Sequence, residues 1–171
     1  YIARLPVEEL RAAVEPLLAA ADLAPSAGML DQGGSGSGGP SFHRLLDLLR
    51  PRAKRLTDFV EQARPFLVET VEYEPEAIAK HLSSPDVRDH IAALTTALRG
   101  LDTFDETQVE AAVRDTAAAR GIKAGALIHS TRVALTGRTT SPGIFDVLVL
   151  LGRARSLARL ERLATFLTER G

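Results

Sequence analysis

A chain of 171 residues with 45% hydrophobic and 25% charged side chains can form one domain, or two small ones, around a packed core. It contains no cysteine, which excludes disulfides and thiolate zinc sites and fits a reducing cytoplasm. The net charge of −1 argues against a stand-alone nucleic-acid binder. No run of about 18 apolar residues offers a membrane span, so no membrane partner is expected; with a near-neutral charge, DNA is not expected as a partner either. No secretory leader is read, and a start on Tyr1 in an apparent helical segment reads as a piece of a longer protein.

In chain order, the first predicted helix covers roughly residues 6–22, opening at Pro6 with Glu8 and Glu9 in its first turn and a proline, Pro16, inside. The stretch DQGGSGSGGP, residues 31–40, formally contains GxGxxG, but no strand precedes it, so it is not a dinucleotide fingerprint. Its composition is that of a flexible linker of engineered appearance, standing in for a native loop. SFHRLLDLLR is a second helix, with Pro51 interrupting before AKRLTDFVEQAR continues to Pro65. Residues 66–74 read as irregular, and Pro75 starts a short helix through Leu82. Ser84, Pro85 and Asp86 together resemble a helix start, with Ser84 as cap and the helix running to about Leu98. Asp105 and Gln108 have capping-box spacing, opening a helix that ends at Gly121. Further helices are expected from Lys123 to Leu135, from Ser141 to Gly152, and from Ser156 to about Thr168. The sum is an all-α fold of about eight helices without a sheet, in two helical subdomains, 1–71 and 72–171.

Enzymatic signatures are missing. None of His43, His81, His90 and His129 pairs with another at i,i+4, and each reads as a surface or packed side chain. There is no phosphate loop and no nucleophile elbow. No catalytic residue and no metal ligand is assigned.

Charge is uneven: residues 122–171 carry eight basic and three acidic side chains, and residues 71–121 five basic and ten acidic. A basic end on a neutral chain can attract phosphates locally. Two basic stretches stand out. LLRPRAKRLTDF sets Arg50, Arg52, Lys54 and Arg55 about a proline, with Arg52 and Arg55 on one face if the segment is helical. It reads either as a rigid turn presenting guanidinium donors to bases or as a solvated face paired with Asp47 and Asp58. In RVALTGRTTSPG, residues 132–143, one helix stops near Gly137 and another begins near Ser141, leaving Arg132, Arg138 and three hydroxyls around a fresh helix N-terminus. That junction suits single-stranded bases or phosphates, and equally a well-capped turn with incidental arginines.

The run KAGALIHSTRVALTGRTTSPGIFDVLVLLGRARSLARL closely resembles the C-terminal part of bacterial glutamyl-tRNA synthetases, class I aminoacyl-tRNA synthetases, through its R-x-A-L-T-G, S-P-G-x-F and L-L-G elements. LLRPRAKRLTDF resembles an earlier helical segment of the same family, and the resemblance covers nearly the whole chain apart from residues 31–40. It implies a monomeric parent enzyme, inactive without its catalytic domain, that joins glutamate to tRNA-Glu using ATP and Mg2+. The HIGH-like and KMSKS-like motifs of that catalytic domain are absent here, so this chain is expected to be the helical anticodon-binding portion, without a cofactor of its own.

By the same resemblance, Arg52 matches the residue that recognises the third anticodon base, where arginine goes with rejection of tRNA-Gln. Arg132 and Ser141 match anticodon contacts of the second subdomain, and Pro142, Ile144 and Phe145 its neighbouring surface. Phe145 serves equally as core material. Two rival readings are a helical protein-interaction module without RNA binding and a relaxed ligase that also accepts tRNA-Gln.

Overall fold

The computed structural model describes residues 4–23, 42–68 and 70–170; the Gly/Ser tract at 31–40 lies outside them. The chain divides into two compact units, residues 1–69 and 70–171. Both are helical, with eight α-helices and no strand among the described residues.

The first unit contains α1 (Val7–Ala20), α2 (Phe42–Leu49) and α3 (Leu56–Leu67). Leu10, Val14 and Leu18 recur every fourth residue, forming one apolar stripe on α1 that is fully buried. It packs on α2 and α3, whose Leu45, Leu46, Leu49, Phe59, Ala63 and Phe66 complete the core. Each such leucine or phenylalanine contributes about 1.5–3 kcal/mol through burial. α1 runs through Pro16, and α3 passes Pro65 to end at Leu67, two residues beyond the predicted stop. Packing of Phe66 against the core outweighs the donor that Pro65 lacks.

Between α2 and α3 lies a 3-10 turn, Arg50–Arg52. Pro51 removes an amide donor where α2 would otherwise continue, and Ala53 is already extended. Arg55 is extended as well, so Arg52 and Arg55 do not share a helix face. Asp58 closes the entry to α3 by accepting from the backbone N–H of Lys54 at 3.0 Å and of Arg55 at 2.9 Å.

The second unit contains α4 (Pro75–His81), α5 (Val87–Arg99), α6 (Glu106–Ala119), α7 (Ala124–Thr136) and α8 (Ile144–Arg170). α8 packs against α5, α6 and α7 and carries much of the core through Val147, Leu148, Leu151, Leu160 and Leu163. α4 packs on α7. At the start of α6 the predicted cap forms: Gln108 N–H donates to Asp105 Oδ1 at 2.8 Å.

Three predicted starts differ. Ser84 accepts the Val87 amide through its backbone carbonyl, which makes a turn, and α5 begins at Val87. α8 begins at Ile144, with Val147 N–H bonded to Gly143 O, and the Ser141 hydroxyl is engaged with Arg132 and Pro142 instead of capping it. Ser156 is buried and donates backward to Leu148 O at 3.2 Å instead of capping a new helix. The two predicted C-terminal helices are present within α8, separated by a kink at Gly152, whose φ of 81° and ψ of 169° lie in a region essentially restricted to glycine.

Candidate nucleic-acid interface

Arg52 sits exposed at the end of the 3-10 turn in the first unit. Its carbonyl accepts from Gln62 Nε2 at 3.0 Å, which ties the turn to α3. Neighbouring Arg50 pairs with Asp47 at 3.3 Å, whereas no ion pair engages Arg52 among the described residues. Asp58, the other acid near it, serves backbone amides; those of Arg55 and then Lys54 hold its carboxyl below the usual range. The expected paired basic face therefore forms at Arg50, and the Arg52 guanidinium stays available to solvent.

In the second unit the α7–α8 junction is built around Gly137. α7 ends there in a left-handed conformation, φ 73°, with Gly137 N–H on Val133 O at 2.8 Å. Its carbonyl accepts from Glu74 N–H at 2.8 Å, at the entrance to α4. A Cβ at this position would lie 1.9 Å from Glu72 O, so only glycine permits the approach. Thr136 folds its hydroxyl onto Arg132 O at 2.8 Å and accepts the Arg138 amide at 3.2 Å. Arg138 itself turns toward Glu74, 3.8 Å away.

Arg159, from α8, locks the end of α7. It is 4% exposed and donates through Nη1 to Leu135 O at 2.6 Å. Carbonyls in the last helical turn lack intrahelical partners, and a guanidinium there meets the negative end of the helix dipole. Burial, then the neighbouring Arg155 and Arg162, pulls Arg159 down to about 10, so it stays charged at neutral pH. Arg162 donates to Val71 O and lies over the Tyr73 ring, 5.4 Å from its centroid. Burial pushes the Tyr73 hydroxyl up, against the pull of Arg162 and Arg159.

This scaffold aligns Arg132 and Ser141. Arg132 Nε donates to Ser141 Oγ at 2.9 Å, and Ser141 Oγ donates onward to Pro142 O at 2.6 Å. Arg132 Nη1 lies 3.1 Å from His129 Nδ1, and the His129 ring stacks on His81 of α4 at 4.7 Å and 17°. Burial, with His129, Lys80 and Arg132 behind it, lowers the His81 pKa.

Pro142 and Ile144 are buried, Ile144 at 3% exposure, and line the junction from inside. Phe145 is half-buried, with the Arg114 guanidinium 5.7 Å from its ring centroid. The half-buried donors Arg132 and Ser141 and the half-buried Phe145 ring lie on one junction, an arrangement that can hold an unstacked base by its edge and its face. Arg132 and Ser141 are brought together; Arg52 belongs to the other unit. Sequence reasoning missed His81, His129 and Arg159 as parts of this site. The two histidines lie 48 positions apart on different helices, and no periodic signal connects them.

A family model described as anticodon binding domain matches residues 9–164. A "Glutamate--tRNA ligase 2" of Koribacter versatilis is 40% identical over 117 residues, 68% of this chain and 24% of that protein. A "Glutamate--tRNA ligase 2" of Rubrobacter xylanophilus is 36% identical over 160 residues, 94% of this chain and 31% of its own length. The chain thus spans about a quarter to a third of the relatives it matches. A glutamate tRNA ligase structure from Elizabethkingia meningosepticum shares the fold, with a TM-score of 0.80 at 19% identity over 98% of this chain and 30% of that one. The chain belongs to the anticodon-binding domain family, in the form carried by glutamate–tRNA ligases.

Proposed function

We propose that this chain reads the anticodon of tRNA-Glu for a glutamate–tRNA ligase that uses ATP and Mg2+ in a catalytic domain outside these 171 residues. The units 1–71 and 72–171 act as two anticodon-binding subdomains of a monomeric cytoplasmic enzyme. The observation that carries the reading is the Arg132 guanidinium held against Ser141 on a basic, half-buried junction. Family membership supports tRNA as the partner.

Arg132 and Ser141 contact anticodon bases of the second subdomain, with Phe145 as apolar wall and Pro142 and Ile144 as its buried support. Arg52 reads the third base. Cytosine offers O2 and N3 as acceptors on its Watson–Crick edge, whereas guanine presents donors at N1 and N2. A planar, donor-only guanidinium at that place therefore prefers cytosine, the base that separates glutamate from glutamine anticodons.

The test is a binding titration of two anticodon stem-loops that differ only at the third anticodon base, C or G, at low and moderate salt. Parent protein binds the C loop more tightly, and Arg52→Gln erodes that preference. Binding weakens steeply with salt as counterions return to the RNA. Equal, salt-insensitive binding of both loops, unchanged by the substitution, overturns base reading and favours a protein-interaction module.

A further inference from the structure

Arginine carries donors only, so the contact between Arg132 Nη1 and His129 Nδ1, 3.1 Å, requires Nδ1 to accept. Nδ1 accepts in this way only from the tautomer that carries its proton on Nε2. One face of that ring is covered by His81, whose centroid lies 4.7 Å away. Arg132 is one helical turn beyond His129 on α7, and its Nε reaches Ser141. Two acceptors from different segments therefore fix a single planar group: His129 from within the helix and Ser141 from the turn after it.

Building on the anticodon reading, we propose that His129, backed by His81, is a positioning residue for Arg132. Its unprotonated Nδ1 holds the guanidinium in the orientation that meets RNA, and a proton on His129 releases it. Burial, and then the charges of His129, Lys80 and Arg132, lowers the pKa of His81 behind it. A proton on His129 would place a new positive charge against the Arg132 guanidinium and remove the acceptor that Nδ1 supplies.

The direction of the effect is diagnostic. Added positive charge alone would attract phosphates and strengthen RNA binding in acid. Loss of positioning does the opposite. Affinity for the glutamate anticodon stem-loop should fall about tenfold between pH 7.5 and 5.5, the scale of one hydrogen bond to a charged group. His129→Asn sets a carbonyl oxygen near the place of Nδ1 and does not titrate. It should retain affinity at pH 7.5 and lose the acid dependence, whereas His129→Leu should bind about tenfold more weakly at both pH values. Affinity that is unchanged or rises in acid, or an Asn variant that behaves like the Leu variant, overturns the proposal.

A second readout needs neither RNA nor a variant at His129. Nitrogen NMR of the labelled chain should find His129 in the Nε2–H tautomer with Nδ1 accepting a hydrogen bond, and Arg132→Leu should shift the Nδ1 resonance by removing the donor. A Nδ1–H tautomer in the parent overturns positioning. If the parent binds no stem-loop at any pH while the tautomer is as expected, the anticodon reading fails and the His129–Arg132 coupling stands.

Discussion

Arg132 and Ser141, nine residues apart in sequence, meet at 2.9 Å because α7 stops at Gly137 and α8 does not begin until Ile144. The seven residues between the helices, 137–143, bring the serine hydroxyl back beside the last turns of α7. Ser141 accepts from Arg132 and donates to Pro142 O, so its hydroxyl orients the arginine and is fixed itself. Ser141→Ala removes the acceptor and should weaken binding of the glutamate stem-loop about tenfold, as expected for one charge-assisted bond. Ser141→Thr should retain most of the affinity. A stem-loop titration of the two variants checks both; equal loss in both would show that the hydroxyl is not the operative group.

Arg52→Lys separates charge from geometry. The lysine keeps the positive charge on the 3-10 turn but loses the planar fork of donors. Binding should keep its salt slope while the preference for C over G at the third base disappears. Measuring affinity for both loops at several salt concentrations reads the two quantities independently.

Gly137→Ala should destabilise the second unit severely. A left-handed non-glycine residue costs about 1–2 kcal/mol. The added carbon would also sit 1.9 Å from Glu72 O, so the segment entering α4 must shift. Thermal unfolding should show the loss, and the Gly137–Glu74 hydrogen bond should lose its amide-exchange protection.

Arg159→Ala tests the lock on α7. It leaves Leu135 O, the carbonyl that the guanidinium reaches at 2.6 Å, without that donor inside the unit. The expected destabilisation is about 1–3 kcal/mol, read from urea unfolding. A change within error would mean that the packed aliphatic stem and the desolvation of the charge offset the bond.

His81 gives stability a pH dependence with a definite sign. Its folded pKa lies below the unfolded value of 6.5, chiefly through burial. Between the two values the unfolded chain binds more protons, so stability rises with pH there. The contribution is complete above 6.5 and is lost as pH falls through the folded pKa. Unfolding midpoints of the parent should drop between pH 7.5 and 5.5, and His81→Gln should flatten that slope.

Much of this protein was determined by local sequence. Apolar residues every three or four positions specify amphipathic helices, because the α-helix repeats every 3.6 residues and buries one stripe. Asp105 caps its helix through a bond spanning three residues, and Gly137 ends one by adopting a conformation other residues avoid. These effects act within a few residues, so composition and spacing encode them. For the same reason Arg52 and Arg132 stood out as arginines beside helix breaks.

Tertiary structure decided the rest. Whether Ser141 caps a helix or orients an arginine depends on where α8 starts, and the packing of α8 on α5, α6 and α7 sets that. Ser156 reaches Leu148 across the kink at Gly152, which separates the two helical segments of α8. The stacking of His81 on His129, and the reach of Arg159 to Leu135, join groups 48 and 24 residues apart. Such contacts arise when helices bury their apolar stripes against one another, and no local pattern records which polar side chains that burial brings together.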